Sequence, residues 1–218
     1  FSHIVTGHTA SDRAETLLYN LVRGSGADGL QALTWQRRVA PEIDLTRPLL
    51  DLTRTQTEQF CQEMNLTFWQ DPANHNLNYA RNRIRQELVP YLREHLNPQA
   101  EAHLAQTAEL LQAEVEFLEN VAAQLLHQSR HPDLPGLRRS PLRQSALAIQ
   151  RRVARQFLQA ELDCAPNFEQ IEKLVFLISA PHRSQSDPFP GGTIALVDGD
   201  WLWLQPLPIA APEPESSS

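Results

Sequence analysis

The sequence predicts an α/β protein in which strand and helix patterns alternate over the first hundred residues, followed by a mainly helical part that closes in a β-hairpin. Three observations predict it. A short apolar run, Ile4-Val5-Thr6, stops at Gly7 and gives way to Ala14, Leu17, Leu18, Leu21 and Val22 at helical intervals. Beyond Asn97-Pro98, apolar residues keep a three-to-four spacing through several helix-length segments. Near the end, two alternating runs flank Asp198-Gly199, a strong hairpin signal.

In order along the chain, Ile4 to Thr6 reads as the end of a buried strand and Gly7 as its turn. Thr9 or Ser11 then caps a helix, with Asp12 three residues after Thr9 at capping-box spacing, and Gly24 ends it. Ile43 to Arg47 reads as a strand, and Thr53 to Glu63 as a helix with Thr53 and Gln56 as its capping box. Leu66 to Trp69 reads as a short extended piece, and Asn78 to Arg93 as a helix with Ile84, Leu88 and Leu92 on one side. Glu101 to Gln128 is a long acidic amphipathic helix, its stripe formed by Leu104, Ala108, Leu111, Val115, Leu118 and Ala122. His131 to Pro141, with three prolines and a glycine, reads as a loop. Leu142 to Leu162 and Asn167 to Ile178 read as helices, the second with Phe168, Ile171, Val175 and Ile178 as its core stripe. In the hairpin, Val197 opposite Asp200 puts Ile194, Leu196, Trp201 and Trp203 on one face, where the tryptophans are expected to pack into the core. Residues 207–218 carry no core-forming pattern and are expected to be disordered.

The chemistry concentrates at the first helix. A strand feeding a polar helix N-terminus is where open α/β sheets receive ligands, because free N–H groups and the dipole favour anions. Asp12, Glu15 and Thr16 share one helix face, and His8 lies just before it. A carboxylate pair there suits Mg²⁺ against a bound phosphate, while the plain alternative is that the acids complement the helix dipole. A metal hydrolase using His8 and Asp12 is weaker, since no further His or Cys cluster has ligand spacing. Later, Arg81 and Arg85 share a stripe one turn apart with Asn82 beside it, a face suited to phosphate or carboxylate, or to pairing with Glu87.

The net charge of −7 hides a pattern. Residues 130–155 hold seven arginines against Asp133 alone, whereas residues 156–218 hold nine acids against Lys173 and Arg183. Lys173 is the only lysine, so the basic residues are suited to bidentate phosphate contact; a solvated arginine face is the alternative. Cys61 and Cys164 are too few for a disulfide framework and are expected to be small buried residues. No apolar run approaches the length of a membrane span, so no membrane partner and a cytoplasmic, globular protein are expected.

Three ordered blocks carry a resemblance. GHTASDRAET followed by LLYNLVRGSGADGL, RPLLDLTR (Arg47 to Arg54), and WQDPANHNLNYARNRIRQELVPYL (Trp69 to Leu92) together resemble the tRNA(Ile)-lysidine synthetases of the ATP-pyrophosphatase family. His8, Asp12, Glu15, Thr16, Arg23, Gly24 and Gly26 match that family's Gly-His-x-x-Asp-Asp-x-x-Glu-Thr signature and its Arg-Gly-x-Gly sequel, while Ser11 stands where the signature has its first Asp. FPGGTIALVDGDWLWL resembles the end of the family's first C-terminal domain.

The resemblance implies a Rossmann-like, adenine nucleotide α hydrolase-like parallel sheet in residues 1–97, a linker helix over 98–130, and a helical tRNA-recognition domain with a hairpin over 131–206. It implies ATP and Mg²⁺ as cofactors, adenylation of the wobble cytidine of an isoleucine tRNA, and displacement of AMP by free lysine. Asp12 and His8 are the implied catalytic residues, with Asp12 also a metal ligand. Glu15, Thr16, Arg81, Asn82 and Arg85 are implied to bind substrate, and Arg138, Arg139, Arg143, Arg151, Arg152 and Arg155 to bind tRNA. A homodimer is left open. The family's Ser-Gly-Gly-x-Asp-Ser phosphate loop does not occur in the sequence, so the chain is expected to be an inactive fragment lacking the first half of its nucleotide domain. A tRNA-binding module without catalysis and a tRNA thiolase are the competing expectations.

Overall fold

The computed structural model describes residues 1–67, 69, 71–162 and 165–207. The chain forms two compact units, Phe1–Glu116 and Phe117–Ser218, whose division falls inside a long helix rather than at either of its ends.

In the first unit, β1 (His3–Val5) leads into α1 (Ala10–Val22), and α2 (Ala27–Leu30) follows closely. Thr9 caps α1 through the expected box with Asp12, and Gly24 closes it at φ +79°, a conformation that glycine adopts without strain. Then come β2 (Gln36–Ala40), β3 (Ile43–Thr46) and α3 (Arg54–Glu63), the last carrying the expected Thr53–Gln56 capping box. The sheet order is β1-β3-β2: β1 runs parallel to β3, as expected, with His3 opposite Asp44, while β2 adds an antiparallel edge. Strand β2 was not anticipated, because QRRVA lacks apolar alternation; four of its five residues are exposed. Leu66 and Thr67 form no strand, and Phe68 lies outside the described residues.

A 3₁₀ turn at Pro72–His75 precedes a helical stretch running from Ala80 to His95. It comprises α4 (Ala80–Arg83), a π turn at Ile84–Leu88 and α5 (Val89–His95). The π turn has a cause in the sequence. Pro90 has no N–H and its ring crowds the carbonyl four residues back, and the helix widens just before it, so that the Val89 N–H reaches Ile84 O. Helix α6 (Ala100–Ser129) begins in this unit, and buried Arg13 of α1 ties to it by donating to Glu109, while its Nε donates to Leu33 O at 2.8 Å. Leu18, Ile84 and Val89 form a small core that places α1 against the π turn.

The second unit holds β4 (Gly136–Arg138), α7 (Arg139–Arg143), α8 (Leu147–Glu161), α9 (Phe168–Ser179), β5 (Thr193–Asp198) and β6 (Trp201–Pro206). Its antiparallel sheet has the order β4-β6-β5. Phe157, Leu158, Leu174, Leu177, Val197 and Leu202 are core residues at 2% exposure or less. Burying each such side chain stabilises the fold by about 1.5–3 kcal/mol.

Five expectations for this unit need correction. The stretch 131–141 is not all loop, since β4 pairs with β6 and α7 begins at Arg139; proline is tolerated at a strand's flank and in a helix's first turn. The helix expected from Leu142 starts at Leu147, after a break that Ser145 holds by donating to Leu142 O at 2.7 Å. Phe168 is 68% exposed, and the stripe is carried by Leu174, Leu177 and Ile178. The hairpin turn is Gly199-Asp200, with Asp198 opposite Trp201 and only Gly199 at positive φ, as glycine at the first position of a type II′ turn requires. The tryptophans do share a face with Leu196, but the core face is the other one, formed by Ala195, Val197, Leu202 and Leu204. On the outer face Trp201 and Trp203 stack at 5.2 Å, with His131 edge-on to both.

Candidate functional site

The site grows from the N-terminus of α1. Thr9 both caps the helix and fixes Asp12: its backbone N–H and its hydroxyl each donate to Asp12 Oδ2 at 2.8 Å. The other oxygen, Oδ1, receives Arg54 Nη2 at 2.8 Å and Arg85 Nη2 at 3.3 Å. Burial pushes the Asp12 carboxyl upward, but the Thr9 hydrogen bonds and then Arg54 and Arg85 outweigh it and hold it below the ordinary carboxylate range.

One turn along, Glu15 is only 3% exposed, and its charge is tolerated because two guanidinium groups meet it. Arg85 grips it with a two-point fork, Nε to Oε1 and Nη2 to Oε2, both at 2.8 Å, and Arg54 Nη1 adds a bond to Oε1 at 3.0 Å. That hydrogen bonding raises Arg85 above its ordinary pKa. Thr16 completes the face: it donates to Asp12 O at 2.7 Å and accepts from Arg81 Nη2 at 2.8 Å. Arg81 thus reaches α1 from α4, at Thr16, and Arg85 reaches it from the π turn, at Asp12 and Glu15.

His8 sits beside the cluster, its Nδ1 at 2.8 Å from Thr6 Oγ1. Burial, with Arg47 and Arg81 nearby, lowers its pKa despite the pull of Asp12 and so favours the neutral imidazole. Arg47 is itself 5% exposed and donates to Thr34 O at 2.7 Å. Asn82, expected on the binding face, instead donates to Ala73 O and Asn76 O at 2.8 and 2.9 Å, holding the 73–76 loop in place.

Two residues that local patterning missed complete the arrangement. Arg54 occupies the first turn of α3 and is bound from both α1 carboxylates, 42 and 39 residues away in sequence. Ser11, 3% exposed, accepts the Arg54 backbone N–H at 2.9 Å, so the hydroxyl standing where the resembled signature has Asp serves the N-terminus of a second helix. The signal available for Arg54 was its place directly after the Thr53 cap in RPLLDLTR.

A divalent cation does not fit this arrangement as it stands. Both Asp12 oxygens are occupied by donors, and among the described residues no three His, Cys, Asp or Glu side chains converge to hold a metal ion. What the cluster offers instead is guanidinium N–H groups. Arg54 and Arg85 wall a cavity of about 430 Å³ together with Glu58, Asn74, His75 and Gln86, and a smaller one of about 170 Å³ that also includes Arg93 and Glu101.

The arginine-rich stretch of the second unit divides by environment. Arg139 is 2% exposed and donates to Ile178 O at 2.9 Å, to Gly199 O at 3.0 Å and to Ala180 O, and burial lowers its pKa. Arg143 also reaches Ile178 O, at 2.8 Å, but its side chain lies largely at the surface. Arg151 pairs with Glu172 in a fork at 2.7 and 3.0 Å, and Arg152 and Arg155 both meet Glu119. Arg138 is exposed, with its guanidinium 5.4 Å from the Trp201 ring centre. Among the described residues, no helix is long and apolar enough to cross a membrane.

Residues 1–92 match the PP-loop domain. The chain is 60% identical over 94% of its length to the tRNA(Ile)-lysidine synthase of Nostoc sp. strain PCC 7120, covering 64% of that protein. It is 51% identical over 93% of its length to the synthase of Synechocystis sp. strain PCC 6803, covering 63%. It is 33% identical over 94% of its length to the chloroplastic synthase of Pyropia yezoensis, covering 61%. The chain thus spans somewhat over three-fifths of the length of these curated relatives. Sharing half or more of its aligned residues with the first two along nearly its whole length, the chain belongs to the tRNA(Ile)-lysidine synthase family and carries that family's PP-loop domain in its first 92 residues.

Proposed function

We propose that the intact protein forms lysidine: ATP adenylates the wobble cytidine of an isoleucine tRNA, and the amino group of free lysine displaces AMP. The observation that carries this reading is convergence. Asp12, Glu15 and Thr16 of one block meet Arg81 and Arg85 of another, 65 to 73 residues away, in a single hydrogen-bonded cluster. Chemistry that brings ATP onto a base of an anionic tRNA, and then an amine onto that base, needs fixed cations and a proton acceptor held in place beforehand.

In this reading each residue has a task. Asp12 and Glu15 keep Arg85 aimed, and Arg85 and Arg81 offer N–H groups to substrate phosphate or carboxylate. Neutral His8 takes a hydrogen bond or proton from the reacting groups. Asn82 acts indirectly, by fixing the 73–76 loop. Magnesium bound with the nucleotide would neutralise phosphate charge, and Asp12 would have to give up a guanidinium to touch it. Residues 1–97 serve the nucleotide, 98–130 link, and 131–206 bind tRNA. There Arg138 and Arg143 contact phosphate at the surface, Arg151, Arg152 and Arg155 contribute charge from their ion pairs, and Arg139 supports the fold.

The test is mass analysis of isoleucine tRNA from a strain lacking the gene. Lysidine is expected to be lost, restored by the complete wild-type protein, and not restored by a folded Asp12→Ala variant. Lysidine persisting in the deletion strain would overturn the activity, and near-normal rescue by Asp12→Ala would overturn the role of Asp12.

A further inference from the structure

Arg54 lies behind the substrate-facing groups, bonded to both α1 carboxylates. We propose that Arg54 is a positioning residue that keeps Arg85 in its fork on Glu15; this rests on the proposed function only in taking Arg85 as a substrate-facing donor. Three observations lead there. First, Asp12 Oδ1 is shared unequally, by Arg54 at 2.8 Å and by Arg85 at 3.3 Å, while the same Arg85 Nη2 lies 2.8 Å from Glu15. Arg54 satisfies Asp12 and leaves Arg85 with both of its bonds to Glu15 at 2.8 Å. Without it, a half-buried carboxylate draws Arg85 Nη2 toward itself, and a fork that depends on two parallel bonds opens.

Second, Arg54 is itself pinned at both ends. Its N–H rests on Ser11 Oγ at 2.9 Å, its carbonyl accepts from Thr57 Oγ1 at 2.8 Å, and its guanidinium spans Asp12 and Glu15. The α3 N-terminus therefore transmits a fixed position to the α1 carboxylates. Third, the group that moves with Arg85 faces open space. Arg85 Nη1 makes only a 3.4 Å contact with Asn74 Oδ1 at the wall of the larger cavity, so it is the N–H left for an anionic group of a substrate.

Two measurements test this. In the complete enzyme, Arg54→Met is expected to raise the KM of the substrate that Arg85 holds about tenfold with kcat changed less than about threefold, and Arg54→Lys to recover much of it, because an ammonium still neutralises Asp12. Arg54→Met/Arg85→Met is expected to be no worse than Arg85→Met alone. Additive losses, or a fall in kcat that follows thermal stability with KM unchanged, would reduce Arg54 to a structural residue. The second measurement needs no activity: the Arg85 Nε–H resonance in ¹H–¹⁵N spectra, assigned by its loss in Arg85→Lys, is expected to shift and exchange faster in Arg54→Met. An unchanged resonance sinks the positioning role even if lysidine is made; absence of lysidine formation by the wild type sinks the functional reading while the resonance still decides for Arg54.

Discussion

Replacing Arg139 with Met separates two uses of an arginine. The sequence pattern makes Arg139 one of a run of phosphate-gripping residues, whereas the fold buries it and gives its guanidinium to three carbonyls, Ile178, Ala180 and Gly199. Two of these end α9, where unpaired carbonyls and the negative pole of the helix favour a cation. Hydrogen bonds from a charged donor contribute about 1.5–3 kcal/mol each, so three carbonyls stand to lose about 4.5–9 kcal/mol. Methionine fills much of the volume and removes the several kcal/mol that desolvating a guanidinium costs. The difference leaves a net loss of about 3 kcal/mol. With a urea slope of about 1–3 kcal/mol/M for a domain of this size, the midpoint of the second unit's transition falls by roughly 1–3 M. Urea unfolding followed by tryptophan fluorescence reads it, since Trp201 and Trp203 lie in that unit. A midpoint within 0.3 M of wild type (about 0.5 kcal/mol) would refute the claim that Arg139 is an internal fastener.

Arg138→Ala is expected to do the opposite, leaving stability within about 0.5 kcal/mol and reducing the salt slope of RNA binding by about 0.7–0.9, checked by filter binding across a salt series. Gly136→Ala is expected to destabilise by about 1–3 kcal/mol, because a Cβ there would sit 2.4 Å from the Trp203 ring; near-ultraviolet circular dichroism should lose the signature of the Trp201–Trp203 stack. Asp12 has a depressed pKa in the fold, so its contribution to stability is complete above its unfolded value of about 3.9 and is lost as pH falls through the lower folded value. Urea midpoints from pH 6 to pH 2.5 should therefore converge for wild type and Asp12→Asn at the acid end; parallel curves would count against the depressed pKa.

What could be read from the sequence was local. Capping boxes at Thr9–Asp12 and Thr53–Gln56 announce helix starts because both partners lie within four residues, and Gly24 announces an end because its φ is left-handed. The same logic fails where pairing is distant. Strand β2 exists because β3 offers it an edge, with Arg38 reaching Asp44 at 2.5 Å, and β4 exists because β6 lies 63 to 67 residues away to receive it. QRRVA has no apolar alternation and the segment around Gly136 is rich in proline, so neither strand shows in advance. The hairpin slipped by one residue on each strand because Asp198-Gly199 and Gly199-Asp200 are both acceptable turns. The slip preserves which residues share a face, yet a period-2 pattern of apolar residues on both faces does not say which face meets the helices.

The site was half legible for a related reason. Asp12, Glu15, Arg81 and Arg85 stand out as charges at helical spacing, but spacing alone reads carboxylates as ligands for a cation and arginines as ligands for an anion. In the fold these groups satisfy each other first, and the charges of Asp12 and Glu15 are matched by Arg54 and Arg85 within the cluster. Arg81 and Arg47, by contrast, are held through a hydroxyl and a backbone carbonyl rather than a carboxylate. Substituting aspartate at Ser11 would add a third carboxylate at a position whose hydroxyl now accepts the N–H that begins α3. Ser11 is 3% exposed, so the two heavy atoms that aspartate adds over serine would have to fit a packed position, and the new charge would compete with Asp12 and Glu15 for the guanidinium groups of Arg54 and Arg85.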